Sequence, residues 1–134
     1  MAAWQFDFNV VPREGCWGDR CIRLEDMRFP EFMGEGSEVL PGEVMCGAYD
    51  GSCIYFCFEN GILDDIRCRL DVRTAEYFVQ LMCYIRETGG EVLYGGSTYP
   101  AEEKVIKRLV RGSGAFRFCT DPYGYLREIG EVQL

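Results

Sequence analysis

A chain of 134 residues with 48% hydrophobic residues closes one hydrophobic core and is too short to hold two. Its formal net charge of −8 repels phosphate, which argues against nucleic acid and anionic membrane surfaces as partners. The complete absence of histidine removes Ser-His-Asp and Cys-His catalysis, histidine general bases and mixed Cys/His zinc sites.

The charge is uneven. Residues 1–70 carry 13 acidic and 6 basic side chains, a net of −7, whereas residues 71–134 carry 9 and 8, a net of −1. Between Glu25 and Asp65 ten acids stand against Arg28 alone. Eight cysteines would suggest a disulfide framework in a secreted chain. The opening MAAWQFDFNVVPREG lacks a basic n-region followed by an apolar run, and no stretch reaches a membrane-spanning length. The expectation is a cytoplasmic protein with reduced thiols acting as small core residues.

In chain order, Trp4, Phe6, Phe8 and Val10 alternate with Gln5, Asp7 and Asn9, the pattern of a half-buried strand that Pro12 ends. Glycines and prolines then fall too close together for a long element from Pro12 to Gly42, apart from a short strand expected at Arg20 to Leu24. A connection this irregular inside a small domain is usually functional. Phe29, Phe32 and Met33 are there either to pin it to the core or to project toward a partner.

Glu43 to Tyr49 and Ser52 to Phe58 read as a hairpin turning at Asp50-Gly51, a pair that accepts positive φ. Asn60-Gly61 gives the next turn. Ile66, Cys68, Leu70 and Val72 then alternate with Arg67, Arg69, Asp71 and Arg73, so one face of that strand is wet. From Thr74 to Thr88 the period lengthens to that of a helix, with Ala75, Phe78, Val79, Met82 and Ile85 on one stripe and Tyr77, Leu81 and Tyr84 on a second, before the stop at Gly89-Gly90. Glu91 to Tyr94 suits a short strand. Tyr99-Pro100 opens a second helix whose acids come first and bases last, matching the helix dipole, with Ala101, Val105, Leu109 and the flanking Ile106 and Val110 in its buried stripe. Ser113 caps a third helix through Cys119, a stretch whose FRFC would also serve as a strand. Thr120 to Gly124 has β-turn chemistry, and Tyr125, Leu126 and Ile129 return to the core.

The fold expected is α+β: a mostly antiparallel sheet of about four to six strands with two or three helices packed on it, one domain over residues 1–134. Catalytic signatures are missing. Asp64 and Asp65 point to opposite faces of an extended strand unless they lie in a turn. Cys53 and Cys57 sit about 13 Å apart along a strand, too far to share a tetrahedral metal. Gly34-Glu35-Gly36-Ser37 and Gly95-Gly96-Ser97 match neither a P-loop nor a dinucleotide fingerprint. No cofactor or metal is expected.

What remains is a non-enzymatic binding domain whose acidic surface meets a basic protein partner, as immunity-type or inhibitor proteins do when they neutralise a basic toxin or nuclease. Its contact residues are expected at Glu31, Phe32, Glu35, Glu38, Glu43, Asp50, Asp64 and Asp65, the three aspartates at the hairpin turns and Phe32 the apolar anchor. A small-ligand protein or histidine-independent enzyme with a pocket near residues 12–42 is the competing reading. A self-associating protein using Tyr77, Leu81 and Tyr84 of helix 74–88 is the third.

Overall fold

Period-two alternation builds most of the protein, which a computed structural model describes over residues 2–74 and 76–124. The strands are β1 (Gln5–Pro12), β2 (Ser37–Leu40), β3 (Glu43–Gly47), β4 (Cys53–Glu59), β5 (Ile62–Asp71), β6 (Gly90–Tyr94) and β7 (Ser97–Tyr99). They form one antiparallel sheet in the order β2-β3-β4-β5-β1-β6-β7. Seven strands exceed the four to six expected. The additional ones are the two edges, four and three residues long, embedded among glycines and a proline that read as loop.

Tight turns set the register. Asn60 and Gly61 take φ of 53° and 76° between β4 and β5, and Gly95 and Gly96 take 59° and 82° between β6 and β7, the mirror-image turn geometry that matches strand twist. The Asp50-Gly51 turn behaves differently. It joins β3 to β4 as expected, but the positive φ of that connection, 98°, falls on Gly47. Asp64 and Asp65 lie inside β5 rather than in a turn. Cys57 pairs with Asp65 and Phe58 with Leu63, so Asp64 is the extra residue of a β-bulge.

The strand expected at Arg20 to Leu24 does not form. Residues 17–33 instead make three short 3-10 turns, Trp17–Arg20, Leu24–Asp26 and Glu31–Met33. A single bridge from Arg23 to Ile62 is their one ladder contact among the described residues. Cys21, held at φ 50°, turns the chain before a ladder can extend.

Three helices cover one face of the sheet: α1 (Phe78–Glu87), α2 (Glu103–Arg111) and α3 (Gly114–Thr120). The helix α1 starts later than expected, after Tyr77 at φ 64°. Its two apolar stripes merge into one broad buried face of Phe78, Leu81, Met82, Tyr84 and Ile85. Val79, expected in the first stripe, points outward and is 59% exposed. In α2 the fully buried residue is Ile106, with Val105 and Leu109 only half-buried. The third helix is a helix rather than a strand, and the Ser113 hydroxyl accepts a hydrogen bond from the Phe116 N–H at 3.2 Å, satisfying an otherwise orphaned donor. Residues 122–124 are helical instead of forming a β-turn, with the Gly124 N–H donating to the Asp121 carboxylate at 3.1 Å. Tyr125, Leu126 and Ile129 lie outside the described residues.

The core runs between the two layers. Phe6, Val10, Phe56, Ile66 and Leu70 from the sheet meet Leu81, Met82, Ile85 and Ile106 from the helices, all at 1% exposure or less. Each such side chain contributes about 1.5–3 kcal/mol through burial, so this layer dominates stability. Among the described residues no helix is long and apolar enough to cross a membrane.

Candidate functional site

The irregular segment between β1 and β2 crosses the helical side of the sheet, and its apolar residues hold it there. The Trp17 indole, 3% exposed, donates to the Val10 carbonyl at 2.7 Å. Phe29 meets Phe56 edge-on, with ring centroids 5.0 Å apart. Phe32 packs on Tyr77 and Tyr84 at 5.8 and 6.3 Å, and Met33 is buried. Of the two roles open to these residues, the pinning one is what they do. Phe32 is committed to the chain's own aromatics and keeps only an outer edge for a partner.

The Tyr84 hydroxyl donates to the Arg28 carbonyl at 2.6 Å. Burial pushes this hydroxyl far above the usual phenol range, so it remains a donor. Tyr84 is 8% and Leu81 0% exposed, while Tyr77 is half-buried. Of the stripe read as a self-association surface, Tyr77 and Tyr84 are covered by Phe32 and Arg28 of the same chain, and Leu81 lies in the core. Two clefts share the Arg28–Tyr84 bridge as a wall. One, of about 420 Å³, runs between residues 28–32 and the outer side of α1, with Glu31, Phe32, Val79, Cys83 and Glu87 among its lining. The other, of about 390 Å³, lies between residues 17–28 and β5, floored by Trp17, Leu63 and Ile66.

The eight acidic and aromatic contact residues do not converge. Glu31, Glu35 and Glu38 are exposed along one stretch that leads into edge strand β2. No basic side chain approaches within 4.0 Å of any of the three among the described residues. Exposed Val39 and Leu40 continue that stretch.

Glu43 and Asp65 belong elsewhere, on the sheet face turned away from the helices. There Arg67 lies 3.6 Å from Glu43 and 3.9 Å from Asp65, and Arg69 lies 4.0 Å from Asp7. Tyr55 sits between the two guanidiniums, 5.6 and 5.1 Å from its ring centre. This face neutralises its own charge. Asp64 is exposed at the bulge. Asp50 is at the opposite end of the strands, where its carbonyl accepts from the Trp4 indole at 2.7 Å and from Arg73 at 3.3 Å.

Thiols and metals follow from the same geometry. Desolvation pushes the buried Cys46 thiol up to about 11 and raises those of Cys53 and Cys68, which leaves them protonated and unreactive near neutrality. Among the described residues no group of three or more His, Cys, Asp or Glu side chains is placed to hold a metal ion.

Two features escaped the sequence reading. Val79 looked buried by periodicity but supplies exposed apolar surface to the outer cleft. Arg20, Arg23 and Arg28 line the inner cleft, and with Arg13 they are the only basic residues in positions 1–66. Their clustering is visible in the sequence, yet only the fold reveals the hollow beneath them. The architecture is that of an antiparallel α+β sheet protein with helices on one face. No family model, curated protein or solved structure matches the chain.

Proposed function

We propose that this protein is a non-enzymatic binding domain that takes a basic protein partner on the surface formed by residues 28–40 and the outer side of α1. The observation that carries the reading is the run Glu31, Glu35 and Glu38, exposed and with no basic side chain within 4.0 Å among the described residues, of which Glu31 lines the cleft that also holds Arg28, Phe32 and Val79. Unneutralised carboxylates next to an apolar cleft suit a partner that presents lysines or arginines around an apolar anchor. Because Phe29, Phe32 and Met33 fix the segment to the core, little ordering entropy is lost on docking. Acid-rich capture proteins of this size gain association rate from such a field, and an immunity-type protein that neutralises a basic toxin or nuclease is the subclass this reading favours.

The test is a charge reversal. The triple variant Glu31→Lys/Glu35→Lys/Glu38→Lys should lose a salt-sensitive protein partner that the unaltered chain retains, while Glu91→Lys/Glu102→Lys on the other side should keep it. A partner held equally by both variants would remove the proposed surface.

A further inference from the structure

We infer that the inner cleft, between residues 17–28 and β5, is a binding site for a small organic monoanion with an apolar body. The site shares the Arg28–Tyr84 wall and Glu87 with the outer cleft, but its floor and Arg20 lie apart from the protein-docking surface proposed above. Its floor is apolar and buried: Leu63, Ile66 and Trp17 are 0%, 1% and 3% exposed. Ile22 and Met27 are half-buried on its sides. At about 390 Å³ it falls within the roughly 300–1,000 Å³ typical of small-molecule sites.

The charge of the rim sets the ligand class. Arg20, Arg23 and Arg28 line the cleft against Asp26 and Glu87, a net positive rim on a chain whose first 70 residues are otherwise strongly acidic. Arg23 is already engaged, 3.9 Å from Glu25. The guanidiniums of Arg20 and Arg28 have no ion pair and no hydrogen-bond acceptor among the described residues. Arg20 reaches the end of α1, where its Nη1 lies 3.8 Å from the position a side chain on Gly89 would occupy.

Capping the helix is not its task. The carbonyls of Tyr84, Ile85 and Arg86 already accept from the Thr88 N–H, the Thr88 hydroxyl and the Gly89 N–H. Two uncommitted guanidiniums at the mouth of an apolar hollow fit a carboxylate head with a hydrocarbon or aromatic tail. Asp26 and Glu87 disfavour a second negative charge, which sets a monoanion above a phosphate monoester or dicarboxylate.

The probe is decanoate, compared with decanol, decylammonium and decyl phosphate. Trp17 reports it by fluorescence in a Trp4→Phe background, which leaves one indole of the two. Decanoate should bind saturably at one site, ahead of the other three. Arg20→Ala/Arg28→Ala should weaken it about tenfold or more, and Asp26→Asn should tighten it. The tightening arm cannot arise from misfolding, and near-UV circular dichroism checks the fold of the double variant. Equal binding of decanol and decanoate, or unchanged decanoate affinity in both folded variants, would overturn the inference. The Glu31, Glu35 and Glu38 reversal leaves decanoate binding intact if the two sites are separate, so the docking surface and this cleft fail or stand independently.

Discussion

The hydroxyl of Tyr84 reaches across 56 positions of sequence to donate to the Arg28 carbonyl at 2.6 Å, tying helix α1 to the irregular segment that walls both clefts. Tyr84→Phe keeps the ring, and with it the edge-on contact with Phe56 at 6.4 Å, but leaves a carbonyl without its donor. The expected cost is about 1 kcal/mol, read as a lower urea midpoint with unchanged slope. Amide exchange should accelerate over residues 24–34 more than in β4 or β5, because the bond holds a local segment rather than the sheet. Uniform acceleration across the sheet would show that Tyr84 acts through the global core instead.

A second expectation separates two glycines four residues apart. Gly47, at φ 98°, has the Ser52 carbonyl oxygen directly against the place a Cβ would stand and the Cys53 Cα 2.9 Å from it, and both are backbone atoms that cannot swing aside. Gly47→Ala should cost about 2–3 kcal/mol from backbone strain and displacement together. Gly51, the glycine of the Asp50-Gly51 pair, meets nothing closer than the Ala48 Cβ at 3.4 Å. Gly51→Ala should stay within about 0.5 kcal/mol of the parent. Paired thermal melts decide between them, and a larger loss at 51 than at 47 would contradict the turn geometry.

These two glycines illustrate how much of the fold could be read in advance. The strands β1, β4 and β5, the Asn60-Gly61 turn and the Ser113 cap were legible, because each rests on a local pattern: alternation, a turn dipeptide, a capping hydroxyl. Edge strands β2 and β7 were not, since three or four residues between glycines carry no period. The second apolar stripe of α1 was visible, but its cover was not. Phe32 and Arg28 reach Tyr84 through tertiary contact alone. The acidic surface divided for a related reason. Strand parity puts Glu43 and Asp65 on the face where Arg67 waits, while Glu31, Glu35 and Glu38 lie outside β3–β5 and stay unpaired.

Asp71 gives a pH-dependent expectation. Its carboxylate, 6% exposed, accepts from Arg73 Nε at 3.0 Å, from Nη2 at 2.8 Å and from the Arg73 N–H at 2.9 Å. The Arg73 guanidinium itself stacks on Trp4 at 4.1 Å. Hydrogen bonds from the Arg73 side chain, with its backbone N–H and charge, hold the Asp71 carboxyl below the ordinary value of 3.8 against the opposing effect of burial. A carboxyl depressed in the folded state stabilises fully above its unfolded pKa and loses that contribution as pH falls through the folded one. Asp71→Asn should therefore cost about 1–2 kcal/mol at neutral pH, and the gap to the parent should close as pH drops below about 4. Denaturant midpoints at neutral and acidic pH test this; a gap that stays constant with pH would show that the Asp71 charge contributes nothing to folding.

The eight cysteines divide by burial, and alkylation under native conditions should reproduce the division. Cys16, Cys21, Cys83 and Cys119 are exposed, whereas Cys46, Cys53 and Cys68 are buried. The attacking species is the thiolate, so burial protects twice, by blocking access and by raising the thiol pKa, in Cys46 to about 11. Iodoacetamide near neutral pH should label Cys16, Cys21 and Cys83 first. Cys119 should follow more slowly, since partial desolvation raises its thiol. Half-buried Cys57 also has a thiol raised chiefly by desolvation, against the opposing pull of Arg67, and should lag behind the exposed set. Cys46, Cys53 and Cys68 should react only at the rate of global opening, because they lie in β3, β4 and β5 at the centre of the sheet. Mass spectrometry of timed samples reads the order directly. Early labelling of Cys68 would mean that the β4–β5 ladder opens without the rest of the sheet.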